Sequence, residues 1–137
     1  MISGENAAGK SDSAACPFCS PQTVRKAADE HGTVYAIADA NPVSDGHVLI
    51  ITKRHVADFF ETTPEEQHDA LVLLARLRDR LIANDPSIVG FNAGVNSGVA
   101  AGQTVMHVHI HLIPRRAGDT PNPRGGVRGV IPEKMSY

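Results

Sequence analysis

The sequence predicts an α+β domain with a mostly antiparallel sheet set around one long helix. Three observations carry that expectation. A Leu-rich stretch with helical spacing opens on Thr62-Thr63-Pro64-Glu65-Glu66 and closes near Asn84-Asp85-Pro86. Short β-forming runs lie on both sides of it, at 47–52, 88–95 and 105–113. The connection at 96–104 holds two glycines and bridges the last two runs as an antiparallel pair.

Residues 1–14 (MISGENAAGKSDSA) are small and polar, which predicts a disordered N-terminal segment. The domain proper is expected over 15–115. Segments 23–28 and 33–38 flank Glu30-His31-Gly32 and read as a hairpin. Asn41-Pro42-Val43-Ser44-Asp45-Gly46 is a turn, and the run from His47 to Thr52 is strongly β-forming. In the helix, Thr63 suits the N-cap, Pro64 the first helical position, and Glu66 a capping box. Leu71, Leu74, Leu77 or Arg78, and Leu81 mark its core face. A C-terminal tail over 116–137 is rich in Arg, Gly and Pro. Its Arg115-Arg116 approach and its Arg124 and Arg128 suit phosphate, or an ordinary solvated tail.

At 137 residues the chain is read as one domain. A formal charge of −2 gives no bias toward nucleic acid or an acidic membrane. No apolar run is long enough to span a bilayer, and the first residues lack the apolar stretch of a secretory signal. Two cysteines make no disulfide framework, so a soluble protein of a reducing, cytoplasmic compartment is expected.

The richest stretch is His107-Val108-His109-Ile110-His111-Leu112-Ile113-Pro114. In a strand the side-chain period is two, so three imidazoles project from one face and Met106, Val108, Ile110 and Leu112 from the other. Imidazole serves near neutral pH as nucleophile, proton shuttle or metal ligand. A purely metal-binding row and an exposed row without a role remain open on spacing alone. Cys16-Pro17-Phe18-Cys19, read alone, is a redox pair, a disulfide or half of a zinc site.

The pattern from His107 to Ile113, His-φ-His-φ-His-φ-φ with φ apolar, resembles the histidine triad (HIT) superfamily at every position. The run from Asn96 to His107 looks like that family's nucleotide-binding loop, and DANPVSDGHVLII (39–51) is similar to the other half of its site. The resemblance covers roughly 16–115. It implies a HIT-like fold of about five antiparallel strands, one long helix and a shorter helical segment, commonly paired as a homodimer. It implies His109 as a nucleophile forming a nucleotidyl-histidine intermediate, with His111 at the phosphate or leaving group. Positions Asn96, Gly102, Gln103 and Thr104 match the phosphate loop, with Gln103 beside the chemistry. Asp39 matches the ribose contact, and His47 a further histidine near the triad. Each of these single residues also suits an ordinary turn or cap, Asp39 and Asn96 above all.

Zinc-bearing members of the superfamily use two cysteines, a histidine after the central strand and the first triad histidine. Here these are Cys16, Cys19, His55 and His107, which would make a closed, structural Zn2+ site. The resemblance points to a hydrolase or transferase working at the α-phosphorus of a purine nucleotide or dinucleotide. Dinucleoside polyphosphates lead as substrates, because the run from Ala101 to Arg115 looks closest to the fragile histidine triad hydrolases. A nucleoside phosphoramidase and a nucleotide-binding regulatory module with negligible turnover are the rivals.

Overall fold

Alternation along the central strands gives the sheet two chemically different faces. The computed structural model describes residues 15–137, so the disorder expected at 1–14 lies outside the described residues. The elements are α1 (Pro21–Arg25), β1 (Asp29–His31), β2 (Val34–Ala38), β3 (Val48–Thr52), α2 (Pro64–Asn84), β4 (Ile88–Val95) and β5 (His109–Arg116). The strands form one sheet in the order β1-β2-β3-β5-β4. Every neighbouring pair is antiparallel. Val34, Ala36, Val48, Ile50 and Leu112 turn to α2 and are buried with Ala70, Leu73 and Leu77. Tyr35, Leu49 and Ile51 turn the other way and pack with Phe18 and Ile37. One face is thus a helix-covered core, and the other is left for chemistry.

Helix α2 starts as its sequence indicates. The Thr63 side chain accepts from the Glu66 amide, Glu66 reaches back to the Thr63 amide, and Pro64 opens the first turn. Its buried stripe differs from the expected one. Glu66, Asp69, Ala70, Leu73 and Leu77 are buried, whereas Leu71 is 65% exposed. Leu71 follows Ala70 by one residue, about 100° around the helix, so both cannot face the sheet. Leu74 and Leu81 do pack against the core, at its edge.

The hairpin begins later than expected. Residues 21–25 form a helical turn, with Pro21 in its first turn, and the strand opposite β2 is only Asp29–His31. Proline pre-sets the backbone for a helix start, and this outweighs the β preference of Thr23 and Val24. The turn is fixed by Gly32, whose φ is +53° and where a Cβ would collide with the Asp69 carboxylate. Asp69 accepts from the Thr33 amide and hydroxyl at 2.9 and 2.7 Å, tying this hairpin to α2. The last strand also starts late, at His109 rather than 105, and runs on to Arg116. The Val108 amide instead bonds the Val56 carbonyl at 2.8 Å, outside the ladder. No helix among the described residues is long and apolar enough to cross a membrane.

Candidate active site

Because β5 pairs with β3 at His109 opposite Ile51 and His111 opposite Leu49, these two histidines stand on the face away from α2. Their ring centroids are 5.3 Å apart. Phe18 packs edge-on against His109 at 5.0 Å and against His107 at 5.9 Å. His107 lies just outside the strand and is fully buried. The three imidazoles are therefore neighbours in three different environments.

Hydrogen bonds assign the protons on these rings. The His109 Nδ1 lies 2.8 Å from the His107 carbonyl, which can only accept. Nδ1 of His109 must carry the proton, and Nε2 is left as the lone-pair nitrogen. At His47 the order is reversed. The Val43 amide donates to His47 Nδ1 at 3.0 Å, so the proton sits on Nε2. That Nε2 faces His111 Nδ1 at 2.9 Å and the Asp39 carboxylate at 3.4 Å. His111 Nδ1 accepts, and its Nε2–H is what it offers to the cleft. Burial holds the pKa of His47 and of His111 below the ordinary histidine range; for His111 the neighbouring His109 and His47 add to this, and Asp39 opposes it at both. Both rings are neutral at pH 7.

Asp39, at the end of β2, has its other oxygen accepting from the Asn41 amide at 2.8 Å. The loop 96–104 is shaped from inside by Gln103. Its amide oxygen accepts from the Gly98 amide at 2.9 Å, and its Nε2 donates to the Ala57 and Val105 carbonyls at 2.7 and 3.0 Å. Both Gln103 N–H groups are thereby taken up and the side chain is buried. In this arrangement Gln103 holds the loop rather than facing the cleft, a different part from the phosphate contact expected of it. Gly102 is left-handed (φ +97°) beside Asn96, and Thr104 is exposed. Ser97 bonds Asp58 at 2.8 Å and anchors the far side of the loop.

A cleft of about 660 Å³ opens at His47, His111 and Asn96. It follows β5 through Ile113 to Arg115, and its outer wall is residues 120–135, including Val127 and Val130. In the sequence this segment suggests only a tail rich in Arg, Gly and Pro. Its arginines are engaged in structure: Arg115 with Asp119 and Asn92, Arg116 with Asp85, and Arg128 with the Lys134 carbonyl. Phe18 was likewise missed; its place between two cysteines was the available signal.

On the far side of Phe18, Cys16, Cys19, His55 and His107 bring ligand atoms within 4.8 Å of one another. His107 Nδ1 lies 3.3 Å from Cys16 Sγ, 3.5 Å from Cys19 Sγ and 3.2 Å from His55 Nδ1. A tetrahedral centre with metal–sulfur bonds of about 2.3 Å and metal–nitrogen bonds of about 2.1 Å has edges of about 3.4–3.8 Å. The donor set fits a metal ion. His107 Nε2 donates to the Thr52 carbonyl at 2.7 Å, which leaves Nδ1 free to ligate. Burial and the adjacent Cys16 push the Cys19 thiol up to about 11, a shift a dication would reverse. A second set, Asp39, His47 and His111, is equally close. A metal on His47 Nε2 would leave that ring without a proton, since Nδ1 accepts from Val43, so this set is no metal centre.

The HIT domain family model matches residues 22–118, which include Asp39, His47, the loop and the triad. The chain belongs to the HIT family. An uncharacterised HIT-like protein of Mycobacterium tuberculosis is 38% identical over 90 residues, covering 66% of this chain and 62% of that protein. The asymmetrical bis(5′-nucleosyl)-tetraphosphatase of Schizosaccharomyces pombe is 38% identical, over 61% of this chain and 46% of that enzyme. An adenylylsulfatase of Arabidopsis thaliana is 42% identical, over 61% of this chain and 42% of that enzyme. The chain thus spans under two-thirds of these relatives' lengths. Among solved structures, a HIT family protein from Bacillus anthracis superposes with a TM-score of 0.70 at 35% identity, covering 77% of this chain and 76% of that one. A Zn-bound histidine triad family protein from Mycobacterium smegmatis gives a TM-score of 0.64 at 32% identity, over 81% of this chain and 82% of that one. The HIT match leaves out Cys16, Cys19 and the wall beyond residue 118.

Proposed function

We propose that this HIT protein hydrolyses nucleotide anhydrides at the α-phosphorus through a nucleotidyl-histidine intermediate on His109, with dinucleoside polyphosphates as its substrates. The observation that carries this reading is the His107 carbonyl on His109 Nδ1. It fixes the tautomer in which Nε2 is a nucleophile, and a nucleophile held in one orientation is the first need of covalent catalysis.

The step balances without an added acid. The Nε2 lone pair forms the N–P bond while the P–O bond to the leaving group breaks, its electron pair departing with the leaving oxygen. His109 becomes an N-phosphorylated imidazolium whose Nδ1–H stays on the His107 carbonyl. Water then attacks phosphorus, the N–P pair returns to Nε2, and the water proton passes to solvent. His111 Nε2–H, the amides around Gly102 and the side chains of Asn96 and Thr104 supply donors for the phosphate oxygens. In this reading Asp39 takes the ribose diol, and Gln103 holds the loop. His111, neutral and already accepting at Nδ1, is a hydrogen-bond donor rather than a proton source. That favours a leaving group stable as an anion, a phosphate chain, over the amine a phosphoramidase must protonate.

Zn2+ held by Cys16, Cys19, His55 and His107 would have no open position, so it would brace the fold rather than touch phosphorus. His107 would then join the cage through its ring to the nucleophile through its carbonyl. Thiolate ligands of this kind suit a reducing, cytoplasmic compartment. The long open edge of β4 is the surface through which we assign a homodimer.

The test is turnover of diadenosine tetraphosphate by wild type and His109→Ala, with acid-labile nucleotidyl-protein trapped by rapid quench. Label on the wild type alone, with turnover lost in the variant, is the expected result. Unchanged turnover in His109→Ala would refute the assignment, and binding without turnover in either protein would favour a regulatory module.

A further inference from the structure

We propose that the C-terminal segment 120–135 is a specificity element that covers an aromatic ring at the far end of the leaving group, the second base of a dinucleotide. This rests on the reading of His109 as nucleophile.

In an in-line displacement at phosphorus the leaving group departs opposite the attacking atom. His109 stands on one side of His111, packed on Phe18. The cleft runs the other way, along β5 from His111 through Ile113 to Arg115. The cleft opens at His111, the residue the proposed reaction sets at the phosphate or leaving group, so a long leaving group has this cleft to occupy. Its volume of about 660 Å³ lies in the ordinary range for a small-molecule site.

The wall is built, not draped. Gly125 has φ +96°, and a Cβ there would collide with the Met135 carbonyl. At Gly129 a Cβ would sit 3.1 Å from the Met135 sulfur. Arg124 and Arg128 place their guanidinium carbons 4.6 and 4.8 Å from the Tyr137 ring centroid, closing the end of the segment. Asp119, bidentate on Arg115, ties its start to β5. On this scaffold Val127 and Val130 are 65% and 73% exposed and line the cleft. Ile113 lines the cleft with them. Two exposed valines on a rigid wall leave apolar surface for a planar ring to cover. Ser44, Asn92 and Thr120 line the same cleft and offer polar contacts for the chain that leads to the ring.

The test is equilibrium binding by calorimetry, so that it does not depend on turnover. Diadenosine tetraphosphate and AMP are titrated into His109→Ala protein, with and without Val127→Ser/Val130→Ser. Both valines are exposed, and circular dichroism checks that the fold is kept. Tighter binding of the dinucleotide than of AMP is expected. The serine pair should cut that advantage by about tenfold, the scale of uncovering two valine side chains, while AMP affinity moves less than twofold. Equal losses for both ligands, or an unmoved ratio, would overturn the proposal. A change in oligomeric mass with the ratio unmoved would assign the valines to a subunit contact and overturn it too. Failure of the His109→Ala turnover test, by contrast, strikes the reaction and not the ring contact.

Discussion

At the scale of single residues, the site is a matter of which nitrogen carries each proton. His47 is a positioning residue in this scheme, because its Nε2–H holds His111 Nδ1 as an acceptor. His47→Leu should lower kcat by about 10- to 100-fold with KM within a few-fold, since a misaligned donor is lost in the transition state. His47→Gln, whose amide can still donate to His111, should recover part of that loss. The pH dependence has a definite sign. Burial, His109 and His47 lower the His111 pKa, and Asp39 only partly offsets them. Neutral His111 is the active form, so its protonation should lower kcat along an acid limb that lies below the ordinary histidine range. In His47→Leu one lowering neighbour is gone, and the acid limb should move to higher pH. An acid limb that stays in place, or a variant changed in KM alone, would remove His47 from this role. None of this proton order was legible in the sequence, since the deciding partners are backbone groups of Val43 and His107.

At the scale of elements, the triad strand is tied to the N-terminal segment through the Cys and His cage. Cys16 and Cys19 precede α1, His55 follows β3, and His107 precedes β5, so one ion would join three separate parts of the chain. Cys16→Ser and Cys19→Ser should each lose stoichiometric zinc, read by elemental analysis. Each should lower Tm by about 10 °C or more, as removal of a structural metal does. Full zinc retention in both variants would sink the cage. The sequence showed this set only through resemblance, because spacing could not say that residues 16, 55 and 107 converge. It did show β4 in full and the α2 cap to the residue, since Thr63, Pro64 and Glu66 act locally. The hairpin starts later than the sequence suggests because of Pro21, and on α2 Leu71 alone departs from the expected face, while Leu74, Leu77 and Leu81 keep to it.

At the scale of the whole molecule, the sheet ends in two unlike edges. β1 offers three residues, whereas β4 offers eight, with Val89 at 72% exposure. A long edge strand without charged residues invites pairing with another chain. Pairing β4 with β4 of a second copy would join two five-stranded sheets antiparallel, a self-complementary contact of the kind two-fold dimers use. It would place the two clefts near a shared seam, because Asn92 to Asn96 line each cleft from β4 and the loop after it. Sedimentation at tens of micromolar should then give twice the chain mass. Val89→Glu should shift the protein toward monomer by setting a charge on the paired edge, with circular dichroism unchanged because Val89 is largely exposed. A wild type that stays monomeric through that range would leave β4 a solvent edge. A dimer indifferent to Val89→Glu would move the contact to another surface.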